Sequence, residues 1–235
     1  MSSTTVVIGA GPGLGMSVAH RFGREGHKIV LLSRNPARHP GYLAALEAEG
    51  IEATARAADV HDRDALLAAL DAVGPVDVVY YGPGAADPDA RPTPITSADV
   101  PTAKKAMSWV YPAIDVVGAV LPGMLERGGG GLLFAGGLSA VVPMPMLGGL
   151  TLSSAALRNY ALTLNAALTE KGIYAGTLTI GGLIERGDIH RMVMSRMEEM
   201  DGITIGTLNP DDIADTAWDL YAKRDRAEAV FNALA

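Results

Sequence analysis

The stretch that most narrows the folds open to this chain lies at its amino end. Thr5-Val6-Val7-Ile8 is a short apolar run that leads straight into Gly9-Ala10-Gly11-Pro12-Gly13-Leu14-Gly15, with Gly9, Gly13 and Gly15 in the spacing G-x-x-x-G-x-G. An apolar run without alternation reads as a strand buried on both faces, the mark of a parallel sheet. Glycines directly after it allow a tight strand-to-helix turn, let a helix pack closely on the strand, and let the backbone approach a pyrophosphate. Leu14, Val18, Ala19 and Phe22 keep helical spacing, so phosphates held by this loop would sit at the positive end of a helix. A glycine string alone is equally a structural turn, and the rest of the chain has to supply the context.

Strands are predicted at 5–8, 29–32, 53–57, 76–81, 132–135, 174–180 and 229–231. Helices are predicted between them: from Leu14, over Leu43–Glu49, from an Asp62 cap to Val73, over Pro101–Arg127 with an irregularity near Pro112, over Leu152–Lys171, over Arg186–Met200, and from an Asn209 cap through Tyr221. Gly26, Gly50, Gly74 and Gly172 stand where helices should stop. This alternation predicts an α/β fold, a doubly wound parallel sheet (a Rossmann fold) with right-handed crossovers, in a single domain over 1–235. A length of 235 residues suits one core rather than two.

Composition excludes several function classes. With 49% hydrophobic and 19% charged residues the chain is well buried rather than disordered. A net charge of -7 offers no basic field to a nucleic-acid backbone. The absence of cysteine rules out disulfides, thiol nucleophiles and cysteine-held metals. His20, His27, His39 and His61 show no metal-ligand spacing with carboxylates, so no metal is expected. Residues 128–157 carry no charge, but Gly136, Gly137, Pro143, Pro145, Gly148 and Gly149 interrupt them. They read as a strand, a loop and a helix start rather than a membrane span. No targeting segment is visible, and a cytoplasmic location without membrane or nucleic-acid partners is expected.

Further motifs, in order along nearly the whole length, give the chain a resemblance to the short-chain dehydrogenase/reductase family. Gly9, Gly13 and Gly15 match the family's glycine motif, with Ile8 where a threonine is usual. Ala58-Asp59-Val60 matches its acidic adenine-side turn, and Tyr81-Gly82-Pro83-Gly84 falls where it has N-N-A-G. Leu121-Pro122-Gly123-Met124 matches the end of its central helix, and Gly181-Gly182-Leu183-Ile184 its nicotinamide-contacting loop. The resemblance implies a nicotinamide dinucleotide held by Gly9, Gly11, Pro12, Gly13, Leu14 and Gly15, by Asp59 and Val60, and by Gly82, Gly84, Gly181, Gly182 and Ile184. It also implies a small-molecule substrate, a substrate lid over about 183–208, and a homodimer or homotetramer formed through the long helices, for which Val116, Val117, Val120 and the face near Ala155 are candidates, the alternative being that these residues face only the sheet. Members using NAD usually carry an acid at the end of the second strand. Here Ser33, Arg34 and Arg38 follow it, and a hydroxyl with guanidinium groups suits a 2′-phosphate. NADP(H) is therefore expected over NAD(H), the alternative being that these arginines are ordinary solvated side chains.

The family moves a hydride to or from a carbonyl carbon, with a tyrosine, a lysine four residues later, a serine about thirteen residues earlier and an asparagine on the central helix handling the proton. Aligning Ala155-Ala156-Leu157 with the end of that pattern puts Leu150 at the tyrosine, Ser154 at the lysine, Gly137 at the serine and Trp109 at or beside the asparagine. None of the four keeps the chemistry, since a leucine donates no proton and a serine carries no positive charge. Tyr160, followed at plus four by Leu164, reads as a packing residue. Two hydroxyls are candidate replacements. Tyr81, at the carboxyl end of a strand, is either the proton donor or an aromatic wall, and Ser139 either binds a substrate oxygen or satisfies loop backbone. Lys105 reads better as a solvated helix lysine. Arg186, His190, Met192, Met194, Met197 and Met200 fall in the lid, where the methionines either line an adaptable apolar pocket or simply pack. The expected function is an atypical NADP(H)-dependent oxidoreductase. The alternatives are a non-redox enzyme (an isomerase, cyclase or lyase) and a cofactor-binding protein without turnover.

Overall fold

In the computed structural model, which describes residues 2–83, 93–195 and 206–234, the chain runs β1 (Thr4–Ile8), α1 (Leu14–Arg24), β2 (Lys28–Ser33), α2 (His39–Glu47), β3 (Ala53–Ala57), α3 (Arg63–Asp71) and β4 (Val78–Tyr81). It continues α4 (Val100–Met107), α5 (Tyr111–Arg127), β5 (Gly130–Gly137), α6 (Gly148–Leu168), β6 (Ile173–Gly181), β7 (Leu183–Ile184), α7 (Asp188–Met194), β8 (Thr207–Leu208), α8 (Pro210–Lys223) and β9 (Glu228–Asn232). The main sheet has the order β3-β2-β1-β4-β5-β6-β9, with every neighbouring pair parallel. From β1 the chain winds outward to β3, then returns to lay β4 on the other side of β1. That reversal opens a crevice at the carboxyl ends of β1 and β4, the place where open α/β sheets take ligands.

Successive strand residues point to opposite faces, and both faces are covered. Val6, Ile8, Val30, Val79, Tyr81 and Leu132 pack on one side with α3, α5 and α6. Val7, Ile29, Leu31, Val78, Tyr80 and Leu133 pack on the other with α1, α2 and α8. This double burial is why the strands read as unbroken apolar runs. Phe22 of α1 is fully buried and meets Trp218 of α8 edge-to-face at 5.1 Å, a contact that ties the first helix to the last. The predicted caps form: Asp62 Oδ1 accepts the Ala65 N–H at 3.0 Å, and Asn209 Oδ1 accepts the Asp211 N–H at 2.9 Å. Gly26, Gly50, Gly74 and Gly172 take positive φ where helices end.

Some boundaries differ from expectation. The single helix expected over Pro101–Arg127 is two, broken at Ser108–Val110. Pro112 has no N–H to give the Ser108 carbonyl, and its ring crowds that position. The first helix therefore closes early, with Ser108 Oγ donating to the Lys105 carbonyl at 2.7 Å, and Pro112 enters the first turn of α5, where a missing N–H costs nothing. By length and composition residues 100–127 are apolar enough to cross a membrane. The apolarity has a structural use here, because Val116, Val117, Val120 and Met124 are buried against the sheet. The three valines are thus not an outer face of α5, which exposes Tyr111, Ile114 and Leu125 instead. Helix α6 starts at Gly148 rather than Leu152, and α2 at His39. Of the helix expected over Arg186–Met200, Asp188–Met194 is helical. Met197 and Met200 lie outside the described residues, as does Gly84. The pairing of β7 with β8, two residues each, was not expected; such short strands carry no periodic pattern.

Candidate functional site

A cavity of about 690 Å³ opens at the carboxyl ends of the central strands. Its floor is the glycine loop. Gly9 has φ +89°, and a Cβ there would fall 2.5 Å from the Gly82 carbonyl oxygen, so the turns after β1 and β4 press backbone on backbone. A Cβ on Gly15 would lie 2.7 Å from the Gly9 carbonyl oxygen. Glycine is required at both positions for this close approach. Helix α1 begins at Gly13 with no side-chain cap and no acid in its first turn, leaving its first N–H groups for an outside acceptor. Gly11, Pro12 and Leu14 complete this wall. A Cβ on Gly13 would meet the Glu185 carbonyl oxygen and Gly187 Cα, each at 3.1 Å, so the turn before α7 lies directly on the loop. A bare backbone cradle at an uncapped helix start fits the pyrophosphate of a dinucleotide.

One end of the cavity is polar. Ser33, Arg34 and Arg38 line it, with Asp59, Val60 and His61 opposite. Ser33 Oγ lies 2.7 Å from His39 Nε2, and burial lowers the pKa of that imidazole. Asp59 accepts the His61 N–H at 3.0 Å, which fixes its turn. Arg34 is exposed and makes no ion pair among the described residues. Arg38 donates to Asp188 Oδ2 at 2.7 Å, and Asp188 also pairs with Arg191. The Arg38 guanidinium, aided by Arg191, holds the Asp188 carboxyl below its ordinary range. This pair was missed in the sequence: its partners are 150 residues apart and no local spacing announces it.

The other end is where Gly137, Leu150, Ser154 and Trp109 meet, all on the cavity wall. Leu150 and Ser154 are four apart on α6 and share a face. A Cβ on Gly137 would lie 3.0 Å from Ser154 Oγ and 3.5 Å from Ser139 Oγ. Ser139, on the short turn after β5, is buried but is not part of the wall. Tyr81 is on the wall; its hydroxyl donates to the Trp109 carbonyl at 2.8 Å, and burial pushes the phenol's pKa up. Gly82, Gly182 and Ile184 line the same space. Gly181 does not: its missing side chain makes room for Leu138. Tyr160 packs edge-on against Phe134 at 6.0 Å. Lys105 is exposed on α4. Arg186, with φ +64°, turns away to Ser17 and Asp211. Met192 and Met194 are exposed, and neither they nor His190 reach the cavity wall.

The profile of the short chain dehydrogenase family matches residues 3–185. A short chain dehydrogenase of Pseudocercospora fijiensis is 26% identical over 184 residues, covering 77% of this chain and 59% of that protein, so the match spans little more than half of the relative's length. Among solved structures, L-sorbose reductase from Gluconobacter frateurii, complexed with NADPH and L-sorbose, superposes with a TM-score of 0.81 at 21% identity, covering 99% of this chain and 95% of that one. A 7α-hydroxysteroid dehydrogenase complexed with NADH and 7-oxo glycochenodeoxycholic acid gives 0.82 at 21% identity, with 99% and 92% covered. At these identities the two structures speak for the fold alone.

Proposed function

The chain belongs to the short chain dehydrogenase family, and from that premise we propose that it is an NADP(H)-dependent oxidoreductase acting on a small organic substrate without the family's tyrosine–lysine acid. The observation that carries the reading is the continuity of one cavity from the glycine loop to the wall of Gly137, Leu150 and Ser154. A nicotinamide dinucleotide bound there would supply or accept a hydride. The loop from Gly9 to Gly15 would hold its pyrophosphate, Asp59 and Val60 its adenine, and Ser33, Arg34 and Arg38 a 2′-phosphate. Gly82, Gly182 and Ile184 would flank its nicotinamide end.

Leu150 gives that end an apolar wall and no proton. Tyr81 and Ser139 are the hydroxyls proposed to serve the substrate oxygen, but Tyr81 must first leave the Trp109 carbonyl, and Ser139, buried off the cavity wall, must first turn into it. Positioned acid catalysis contributes about 10²–10⁴-fold, so plain ketones should react slowly. A substrate that needs little help at oxygen, such as an electron-poor conjugated alkene or an iminium, fits better. The test is NADPH oxidation with simple ketones against activated alkenes and imines, repeated with Tyr81→Phe and Ser139→Ala. Fast reduction of plain ketones, insensitive to both substitutions, overturns the account of the missing acid.

The identities of Leu150 and Ser154 favour a second reading, a non-redox enzyme (an isomerase, cyclase or lyase) or a non-catalytic NADP(H)-binding protein. Product formation indifferent to the cofactor's redox state would select it. A homodimer or homotetramer and a cytoplasmic location complete the proposal. The exposed apolar side chains of α5, Tyr111, Ile114 and Leu125, and Leu152 on α6 support association. Light scattering at micromolar concentration that finds a monomer removes the assembly.

A further inference from the structure

Resting on the reading of this cavity as a dinucleotide site, we propose that Asp188 determines cofactor specificity: its carboxylate occupies the Arg38 guanidinium, and a 2′-phosphate binds by taking its place. Arg38 lies after β2, and Asp188 is the first residue of α7; both are on the cavity wall, joined at 2.7 Å. Arg38 gives Asp188 one terminal N–H, and a phosphate that takes the forked geometry on that edge competes for the same donor. The exchange strands no charge. Asp188 loses Arg38 but keeps Arg191, which already donates to its other oxygen. The pair is also inexpensive to open, since the side chains are 50% and 36% exposed, and such contacts contribute little in water. Arg34, without an ion pair among the described residues, takes the first contact with the phosphate, and Arg38 the second. A dinucleotide with a free 2′-hydroxyl brings no anion to this end of the cavity and leaves Arg38 on Asp188. The carboxylate thus subtracts from the affinity for the phosphorylated cofactor and not from that for the other.

The displacement also reaches the lid. Asp188 follows a turn in which Arg186 holds φ +64° and Gly187 lies against the Gly13 backbone. Freeing Asp188 removes one side-chain tie of this turn and leaves Arg186 with Ser17 and Asp211.

The experiment is calorimetric titration with NADPH, NADH, adenosine 2′,5′-bisphosphate and adenosine 5′-monophosphate. It uses the wild-type chain, Asp188→Asn, Arg38→Met and the double variant. Asp188→Asn should tighten NADPH and the bisphosphate by about two- to fivefold, leave NADH and the monophosphate unchanged, and give no gain when Arg38→Met is also present. Equal tightening of phosphorylated and unphosphorylated probes, no change in either, or a gain that survives Arg38→Met overturns the role of Asp188 while leaving the dinucleotide reading intact. If none of the four probes binds the folded wild-type chain, the dinucleotide reading itself fails and this proposal falls with it.

Discussion

At single residues the site is built as much by what is missing as by what is present. Gly9 has both a positive φ and a backbone oxygen where its Cβ would go. Gly9→Ala should therefore destabilise the chain by about 1–3 kcal/mol and lower its melting temperature even without ligand. An unchanged melting temperature would mean that the two turns can separate. Arg34 is the opposite case, an exposed side chain without an ion pair among the described residues. Arg34→Asp should leave stability alone and weaken NADPH by about 1–3 kcal/mol, the worth of a charge-assisted contact. Superimposable NADPH and NADH titrations of the wild-type chain would remove the 2′-phosphate reading. Arg38 is intermediate: its sequence position suggests a phosphate ligand, but in the structure it is held by a carboxylate.

Among elements, what could be read from the sequence follows from how local each signal is. Asp62 and Asn209 cap helices because the hydrogen bond closes within two or three residues. Asp62→Ala should accordingly cost about 1 kcal/mol, seen as a lower denaturant midpoint at constant slope. The strands were legible for the same kind of reason, since double burial leaves uninterrupted apolar runs. The start of α6 was not: Gly148 and Gly149 read as helix breakers, yet both are buried in its first turn, where Gly148 lies against the Thr93 backbone. The split at Ser108–Val110 showed in the sequence only as an irregularity near Pro112, and the alignment alone could not tell that Trp109 turns its carbonyl to the Tyr81 hydroxyl. Val116, Val117 and Val120 could be read equally as a partner face or a sheet face, because an apolar helix surface does not announce which of its sides meets the sheet. In the candidate site, the glycine loop and the convergence of positions 137, 150 and 154 were legible as motif and register. The Arg38–Asp188 contact exists only once α7 has folded back across the crevice.

Over the whole molecule, ion pairs join elements that are distant in sequence, and together they set the response to acid. Arg158 on α6 holds Glu228 at the start of β9 through two bonds of 2.7 and 2.5 Å, and Thr179 donates to the same carboxylate. Arg24 holds Glu49, and Arg186 holds Asp211. In each case the arginine's hydrogen bond is the largest cause lowering the carboxyl pKa below its ordinary value. A carboxyl whose folded pKa is depressed contributes stability that is present above its unfolded pKa and lost as the pH falls through the folded value. The chain should therefore lose stability gently below about pH 6.5, where His27 and His39, whose imidazoles burial holds below their ordinary range, protonate first in the unfolded chain, and then lose it more steeply below about pH 4, where free carboxylates titrate. Most of the steeper loss should come from Glu228, because its side chain is 19% exposed and Arg158's 29%, whereas the other pairs are open to solvent. Arg158→Met leaves Glu228 half-buried with only the Thr179 hydroxyl, which should cost about 1–3 kcal/mol at pH 7. The same substitution removes the cause of the depressed pKa, so the acid slope should be shallower in the variant and the two stability curves should converge as the pH falls. Parallel curves with a constant offset at every pH would mean that Arg158 acts by packing its stem between α6 and β9, and that the acid response arises elsewhere.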